Sequence, residues 1–321
     1  MHGEVTRRPM YRDSTGTMER QVSRLFPSKI FLQISAACNS RCVFCPQTNL
    51  AERFPGGNMN MALLGQILAE VDEHRDQVVE MDLNLHCEPT LDPRLVYFCR
   101  RLAEHDYPPS IITNGSRVHD HDLDDLVHHI SMIQFSMHGG MDAGRRERYM
   151  PGLDHEQCYR NVAAVGRAIR RSGREVMLRI TDMFCPGPEE EAARQRWAEL
   201  AGCENFVFVR PRLLQRDGAL DLGVRTGPRV RCTSLCGPHE MAGILWDGTM
   251  VICSADWERR RSPGMVYREG SIEDLFNSET ANRLRWESSG EVDLPEDHIC
   301  RRCCAVPPLE AFKQGGAAVV N

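Results

Sequence analysis

Six short β-type runs separated by five helical stretches restrict this 321-residue chain more than any other feature it carries. The sequence pattern predicts strands over Lys29–Ile34, Glu80–Leu85, Ser110–Thr113, Met132–Ser136, Glu175–Thr181 and Asn205–Val209. Helical spacing is predicted near Met61–His74, Pro93–Glu104, Asp122–His129, His155–Arg171 and Glu189–Leu200. Strand–helix–strand alternation requires parallel pairing through right-handed crossovers, so the expected fold is α/β, an open sheet or a partial (β/α)6 barrel. Ligands of such folds gather at the carboxyl ends of the strands.

The alternation stops around Leu213–Pro228, which reads as a linker, and a different unit follows. Ile244–Trp246 and Met250–Cys253 flank Asp247-Gly248, a hairpin signal because the turn wants positive φ. Ser271, with Asp274 three residues later, opens a helix expected to run to about Trp286, and the chain then reaches Cys300-Arg301-Arg302-Cys303-Cys304. The division expected is an extension over 1–27, a partial barrel over 28–215 and a small C-terminal domain over 216–321. The tail is too small for a large core and would gain from a metal staple.

Charge sums to −6, which supplies no basic field for nucleic acid or an anionic membrane; neither is an expected partner. No apolar run approaches the roughly 20 residues that cross a bilayer. The first thirty residues are charged throughout, unlike a signal peptide. A cytoplasmic location is expected, where thiols stay reduced, so fourteen Cys point to metal or redox chemistry instead of disulfides. Cys87, Cys99, Cys158, Cys185 and Cys203 stand singly and read as small buried apolar residues. The other nine fall in two clusters.

Cys38, Cys42 and Cys45 lie within eight residues, on the loop after the first strand. Three thiolates suit a soft iron–sulfur or zinc centre. A structural zinc site wants four closed ligands and the immediate loop offers three; three on a four-iron cluster leave one iron open for a substrate or cofactor. Cys38-Asn-Ser-Arg-Cys42-Val-Phe44-Cys45 resembles the signature of the radical S-adenosylmethionine (SAM) superfamily, including the aromatic Phe44 before the last Cys. That resemblance implies that SAM chelates the open iron through its amino and carboxylate groups and is cleaved to a 5′-deoxyadenosyl radical.

Further positions follow from the resemblance. Where the family commonly shows Gly-Gly-Glu-Pro, this chain has His86-Cys87-Glu88-Pro89, and Glu88 retains the acceptor for the SAM ammonium. Asn114 in Thr113-Asn114-Gly115, and Ser136 and His138 in Ser136-Met137-His138, correspond to contacts with the SAM carboxylate and ribose. As residues alone, Asn114 reads equally as a turn and His138 as a solvated loop residue. The tail resembles the shortened twitch form of the SPASM auxiliary domain: Cys236, Cys253, Cys300 and Cys303 are implied ligands of a second four-iron cluster, with zinc the alternative occupant of such a thiolate set. Cys232 and Cys304 are then left over, and Cys232 satisfies the spacing as well as Cys236 does. A spare thiol is a candidate hydrogen-atom donor.

In length, Cys order and spacing the chain is most similar to aminoglycoside epimerases and aminocyclitol dehydrogenases, which implies hydrogen abstraction from a carbinol carbon of a polyol or amino sugar. Epimerisation with a Cys donor is the expected outcome; dehydrogenation with the auxiliary cluster as electron acceptor, peptide modification, and an iron–sulfur carrier or zinc protein are the alternatives. Only 28 residues precede the first strand, fewer than peptide-modifying relatives commonly use for peptide binding. A flavodoxin- or ferredoxin-type protein is the expected reductant. Asp182, Glu189, Glu190, Glu191, Asp217, Asp221 and Asp256 are candidate partners for substrate ammonium groups, or a solvated acidic face. Arg210 and Arg212 are candidate basic or binding groups.

Overall fold

The computed structural model describes residues 25–47, 54, 56–211, 213–214, 232, 237–290, 292–295, 298, 300, 303 and 305–306. Strands β1 (Lys29–Leu32), β2 (Glu80–Asp82), β3 (Ser110–Thr113), β4 (Met132–Ser136), β5 (Met177–Thr181) and β6 (Phe206–Val209) run parallel within two hydrogen-bonded groups, as alternation predicts. Between them lie α1 (Met61–Glu73), α2 (Leu95–Glu104), α3 (Leu123–His128), α4 (Ala143–Tyr149), α5 (His155–Ser172) and α6 (Glu190–Ala201). Helix α4 is not among the predicted elements; Asp142 caps it, accepting from the Arg145 amide. Helix α5 shows why such segments fold as they do. Asp154 caps its start, Cys158, Val162, Val165 and Ile169 recur on one buried face, and Gly173 ends it in the left-handed region.

Strands β3 to β6 make one ladder and β1 with β2 belong to another. The seam between them is bridged by Leu83 N–H donating to Ser110 O (3.3 Å) and Ser110 N–H donating to Asp82 Oδ1 (2.8 Å). The result is an open arc, with no closed barrel among the described residues. In β1 the apolar Ile30 and Leu32 are fully buried in the large core shared with the helices. Period-2 alternation puts Lys29, Phe31 and Gln33 on the other face, where Phe31 packs with Leu85, Met241, Leu245 and Val251. That face is otherwise polar: Lys29 pairs with Glu80 at 2.5 Å, and Arg179 reaches toward Gln134.

Past β7 (Leu213–Leu214), the tail joins this sheet. Strand β8 (Met241–Ile244) pairs parallel with β1, Lys29 opposite Met241 through Leu32 opposite Ile244, and β9 (Thr249–Val251) and β10 (Gly264–Met265) extend the sheet antiparallel. The turn stands where Asp247-Gly248 predicts it, with Gly248 at φ 90° and Asp247 Oδ1 accepting from Thr249 N–H. The first hairpin strand does not: it lies over Met241–Ile244 instead of Ile244–Trp246, because registry with β1 sets its position. The single helix expected from Ser271 is two, α7 (Ile272–Phe276) and α8 (Glu279–Glu287). Ser271 and Asp274 form the expected capping box, but Ser278 starts a new helix by accepting from Ala281 N–H, and Asn277 is held outside by Leu25 O. Glu70 of α1 completes the junction, accepting from Ile272 and Glu273 amides at the start of α7. Strand β11 (Ala305–Val306) pairs with β7, so part of the expected linker is sheet; the rest of it lies outside the described residues. Among those described, no helix is long and apolar enough to cross a membrane.

Candidate iron–sulfur centres

The three-Cys loop leaves β1 and is tied to the strand ends around it. Glu88 N–H donates to Ala37 O (2.9 Å), Val43 N–H donates to Tyr149 O (3.1 Å), and Cys45 N–H closes a turn on Cys42 O (3.0 Å). These ties gather the thiols: Cys42 feels the charge of both Cys45 and Cys38, and lies 3.0 Å from Ser40 Oγ. Burial pushes Cys38 and Cys42 each up to about 12, and neighbouring Cys45 adds to the rise. Ionised thiols in this pocket require a compensating cationic group, which iron provides.

Glu88 lies beside this loop and is 2% exposed. Its Oε1 accepts from Thr90 N–H (3.1 Å), Thr90 Oγ1 (2.6 Å) and Thr113 Oγ1 (2.6 Å); its Oε2 accepts from Asn114 N–H (2.6 Å). The carboxylate therefore joins the ends of β2 and β3, and Oε2 alone has a lone pair left for an ammonium. Burial raises its pKa against those four donors. Asn114 is buried and more than a turn residue: Nδ2 donates to Asn39 Oδ1 (2.8 Å), Oδ1 accepts from Ser116 N–H (2.9 Å), and its side chain also reaches the Cys38 thiol. Asn39, in turn, donates to Ser116 Oγ.

Ser136 ends β4 opposite Thr181 and is half-buried. His138 is not a solvated loop residue. It is buried, with Nδ1 accepting from Met183 N–H at 3.1 Å, which assigns the proton to Nε2. Phe44 meets it edge-on at 4.9 Å and continues into Phe184 and Tyr149. Phe44, Glu88, Asn114 and His138 thus fall on the rim at the strand ends. A cleft of about 300 Å³ opens past β4 and β5 between Gly139, Gly140, Asp142, Arg145, Asp182 and Trp197. A groove of about 400 Å³ between α1 and α2 lies on the outer helical layer, away from this chemistry.

The acidic candidates separate here. Asp182 is buried, with Oδ1 accepting from Gly139 and Phe184 amides, and it lines the cleft. Glu189 pairs with Arg145, Glu190 with Arg210, and Glu191 with Arg194, so these carboxylates are taken up by the chain's own cations. Asp256 closes its own turn, accepting from Arg260 and Arg261 amides. Asp217, Asp221 and Arg212 lie outside the described residues.

In the tail, Cys253 is flanked electrostatically by Cys300 and Cys303, and Cys300 by Cys232 and Cys303. Burial, reinforced by those neighbours, pushes Cys300 up to about 12. Its loop is anchored locally: Cys300 N–H donates to His298 Nδ1 (3.1 Å), and His298 Nε2 donates to Glu287 of α8 (2.9 Å). Cys232 N–H donates to Ser288 O (2.9 Å). The structure thus brings four tail thiols together, Cys232 among them; Cys236 and Cys304 lie outside the described residues.

The profile of the radical SAM superfamily matches residues 32–193, half the chain. The chain belongs to the radical SAM superfamily. The iron–sulfur cluster-binding SPASM domain matches residues 232–304. Among solved structures, the chain is similar to BtrN in complex with AdoMet and 2-DOIA, at 18% identity and TM-score 0.58, covering 87% of this chain and 93% of that one. It is also similar to SuiB of Streptococcus suis bound to the precursor peptide SuiA, at 14% identity and TM-score 0.56, covering 87% and 71%. Native anSMEcpe with bound AdoMet follows at 13% identity and TM-score 0.57, covering 86% and 89%. No curated protein sequence matches the chain significantly.

A radical SAM enzyme uses SAM and a four-iron cluster, and the SPASM match adds auxiliary iron–sulfur binding. The donor sets fit these groups: each is composed of thiols, the ligand type iron–sulfur clusters require, with Cys38, Cys42 and Cys45 on one loop and Cys253, Cys300 and Cys303 within electrostatic reach of one another. Sequence reasoning missed Asn39, Ser116 and Met183 around the first centre. They are polar or loop residues with no spacing of their own, and only the meeting of β1, β3 and β5 ends makes them neighbours.

Proposed function

We propose that this radical SAM enzyme abstracts a hydrogen atom from a carbinol C–H of an aminoglycoside- or aminocyclitol-type substrate and epimerises that carbon. Residues 28–215 carry the SAM centre on Cys38, Cys42 and Cys45, and 216–321 the auxiliary centre on Cys236, Cys253, Cys300 and Cys303. When bound, cluster and SAM together supply a 5′-deoxyadenosyl radical. With SAM bound, Glu88 Oε2 would receive its ammonium, Asn114, Ser136 and His138 would hold its carboxylate and ribose, and Phe44 would close the site beside them. The substrate hydrogen leaves with 5′-deoxyadenosine. Cys232 then gives its S–H hydrogen atom to the opposite face of the carbon, with Cys304 the reserve donor. The thiyl left behind returns to thiol by one electron from a flavodoxin- or ferredoxin-type reductant and one proton. The setting is the cytoplasm.

What supports this reading is the thiol count: six tail Cys against a four-ligand set leave two over, and Cys232, within electrostatic reach of Cys300, is the spare thiol assigned to the donor role. The polar residues that β4 and β5 place on the face away from the helices, Gln134 and Arg179, support a hydroxylated or aminated substrate. Likeness to BtrN, solved with 2-DOIA, supports the same class. The test is anaerobic turnover of candidate amino sugars in deuterated water. Epimerisation gives one deuterium per product and stoichiometric deoxyadenosine, and Cys232→Ala still forms deoxyadenosine but little product. A ketone without deuterium assigns dehydrogenation instead. Replacing Cys38, Cys42 and Cys45 by Ala abolishes deoxyadenosine; its persistence would overturn the SAM-centre assignment.

A further inference from the structure

His86 is one of four described non-glycine residues in the left-handed region, at φ 50°. A side chain there costs on the order of 1 kcal/mol that glycine would not incur. Its ring uses that geometry. It stacks on Trp257 with centroids 3.8 Å apart and planes at 21°, and Nε2 donates to Ser254 O at 2.9 Å, across 168 residues of chain. The His86 carbonyl is also fixed, accepting from Gln33 Nε2 (3.1 Å), while Gln33 Oε1 accepts from Trp246 N–H (3.4 Å).

The two ends of this bridge are the important feature. His86 is followed by Cys87 and Glu88, and both of those side chains lie within electrostatic reach of Cys38 or its neighbours. Ser254 follows Cys253, which is electrostatically coupled to Cys300 and Cys303. A single side chain therefore connects the backbone beside one thiol set to the backbone beside the other. We infer that His86 is a positioning residue that locks the loop after Cys253 onto the loop after β2, fixing the carbonyl dipole next to the auxiliary cluster and the separation of the two centres. The inference rests on Cys253 being an auxiliary ligand, as proposed above. The physical basis is that hydrogen bonds and dipoles around ligating sulfur tune the metal centre.

Three variants separate this role from packing. His86→Phe keeps a ring for Trp257 and loses the donor, His86→Gly relieves the backbone and loses both, and His86→Gln keeps an N–H. Each is reconstituted anaerobically, and both clusters are titrated by EPR-monitored redox potentiometry without substrate. In His86→Phe and His86→Gly the oxidised-to-reduced ratio of the auxiliary cluster at fixed solution potential should change at least about threefold, roughly 30 mV for a one-electron couple. The SAM cluster should hold its potential, iron content should be unchanged, and His86→Gln should recover most of the shift. With a competent substrate, deoxyadenosine formed per product should also rise in the first two variants. Wild-type potentials in both Phe and Gly variants, equal shifts of both clusters, or loss of auxiliary iron in all three overturns the inference. Because the potentials are read without substrate, a wrong reaction assignment leaves this result intact. Cys253→Ala that keeps the auxiliary signal would instead locate the failure in the ligand assignment.

Discussion

Glu88 gathers four donors from two strand ends in a site only 2% exposed. Removing the acceptor leaves those donors buried and unpaired. Glu88→Ala is expected to cost roughly 3 kcal/mol or more, and Glu88→Gln about half that, because an amide oxygen still accepts. Chemical denaturation under anaerobic conditions measures it; a loss below about 1 kcal/mol for Glu88→Ala would show the network to be solvated. Asp82 makes the opposite contribution. Burial, with Glu80 beside it, raises its carboxyl from 3.8 to about 7. The folded chain therefore holds a proton here that the unfolded chain has lost, so this group's contribution to stability falls as pH rises from about 4 to about 7. Asp82→Asn, a mimic of the protonated acid, should flatten that slope and be more stable than wild type at pH 8 by roughly 1 kcal/mol. Unfolding midpoints across pH 5 to 8, followed for both proteins, test the sign.

Among the elements, α5 and α6 approach so closely that a Cβ on Gly166 would lie 1.7 Å from the Ala201 carbonyl oxygen. Neither backbone can yield without moving a whole helix, so Gly166→Ala is expected to cost about 2–3 kcal/mol despite the better helix propensity of Ala. A neutral or stabilising change in the denaturation midpoint would place the helices farther apart. Strands β3 and β4 are legible in the sequence to the residue, because short β-branched and aromatic runs between turn signals have one reading. The hairpin strand β8 is not. Its apolar run continues from Met241 to Trp246, and only hydrogen bonding of Lys29 N–H to Glu240 O and Gln33 N–H to Ile244 O selects which part is strand.

Across the whole molecule, that pairing binds the first strand and the C-terminal domain into one sheet. Phe31, Leu85, Met241, Leu245 and Val251 form a cluster to which neither the barrel nor the tail contributes enough alone. A chain ending at residue 231 should therefore expose β1 as a bare edge and lose amide-exchange protection at Ile30 and Leu32, besides losing auxiliary iron. Full protection in the truncated protein would show the barrel to be self-sufficient.

The alternation, hence the parallel α/β fold, and the two thiol clusters are written in the chain alone, because hydrophobic period and Cys spacing are local properties that survive in one dimension. The chain also marks Glu88, Asn114 and His138, though only through a motif. Their environment is set by tertiary structure: Asn114 donates to Asn39 and Glu88, and His138 is buried against Met183 and Phe44. The placement of Cys232 beside Cys300 and the bridge from His86 to Ser254 are likewise tertiary, because each joins residues tens to hundreds of positions apart through a ladder, a stack or a single hydrogen bond that no local pattern encodes.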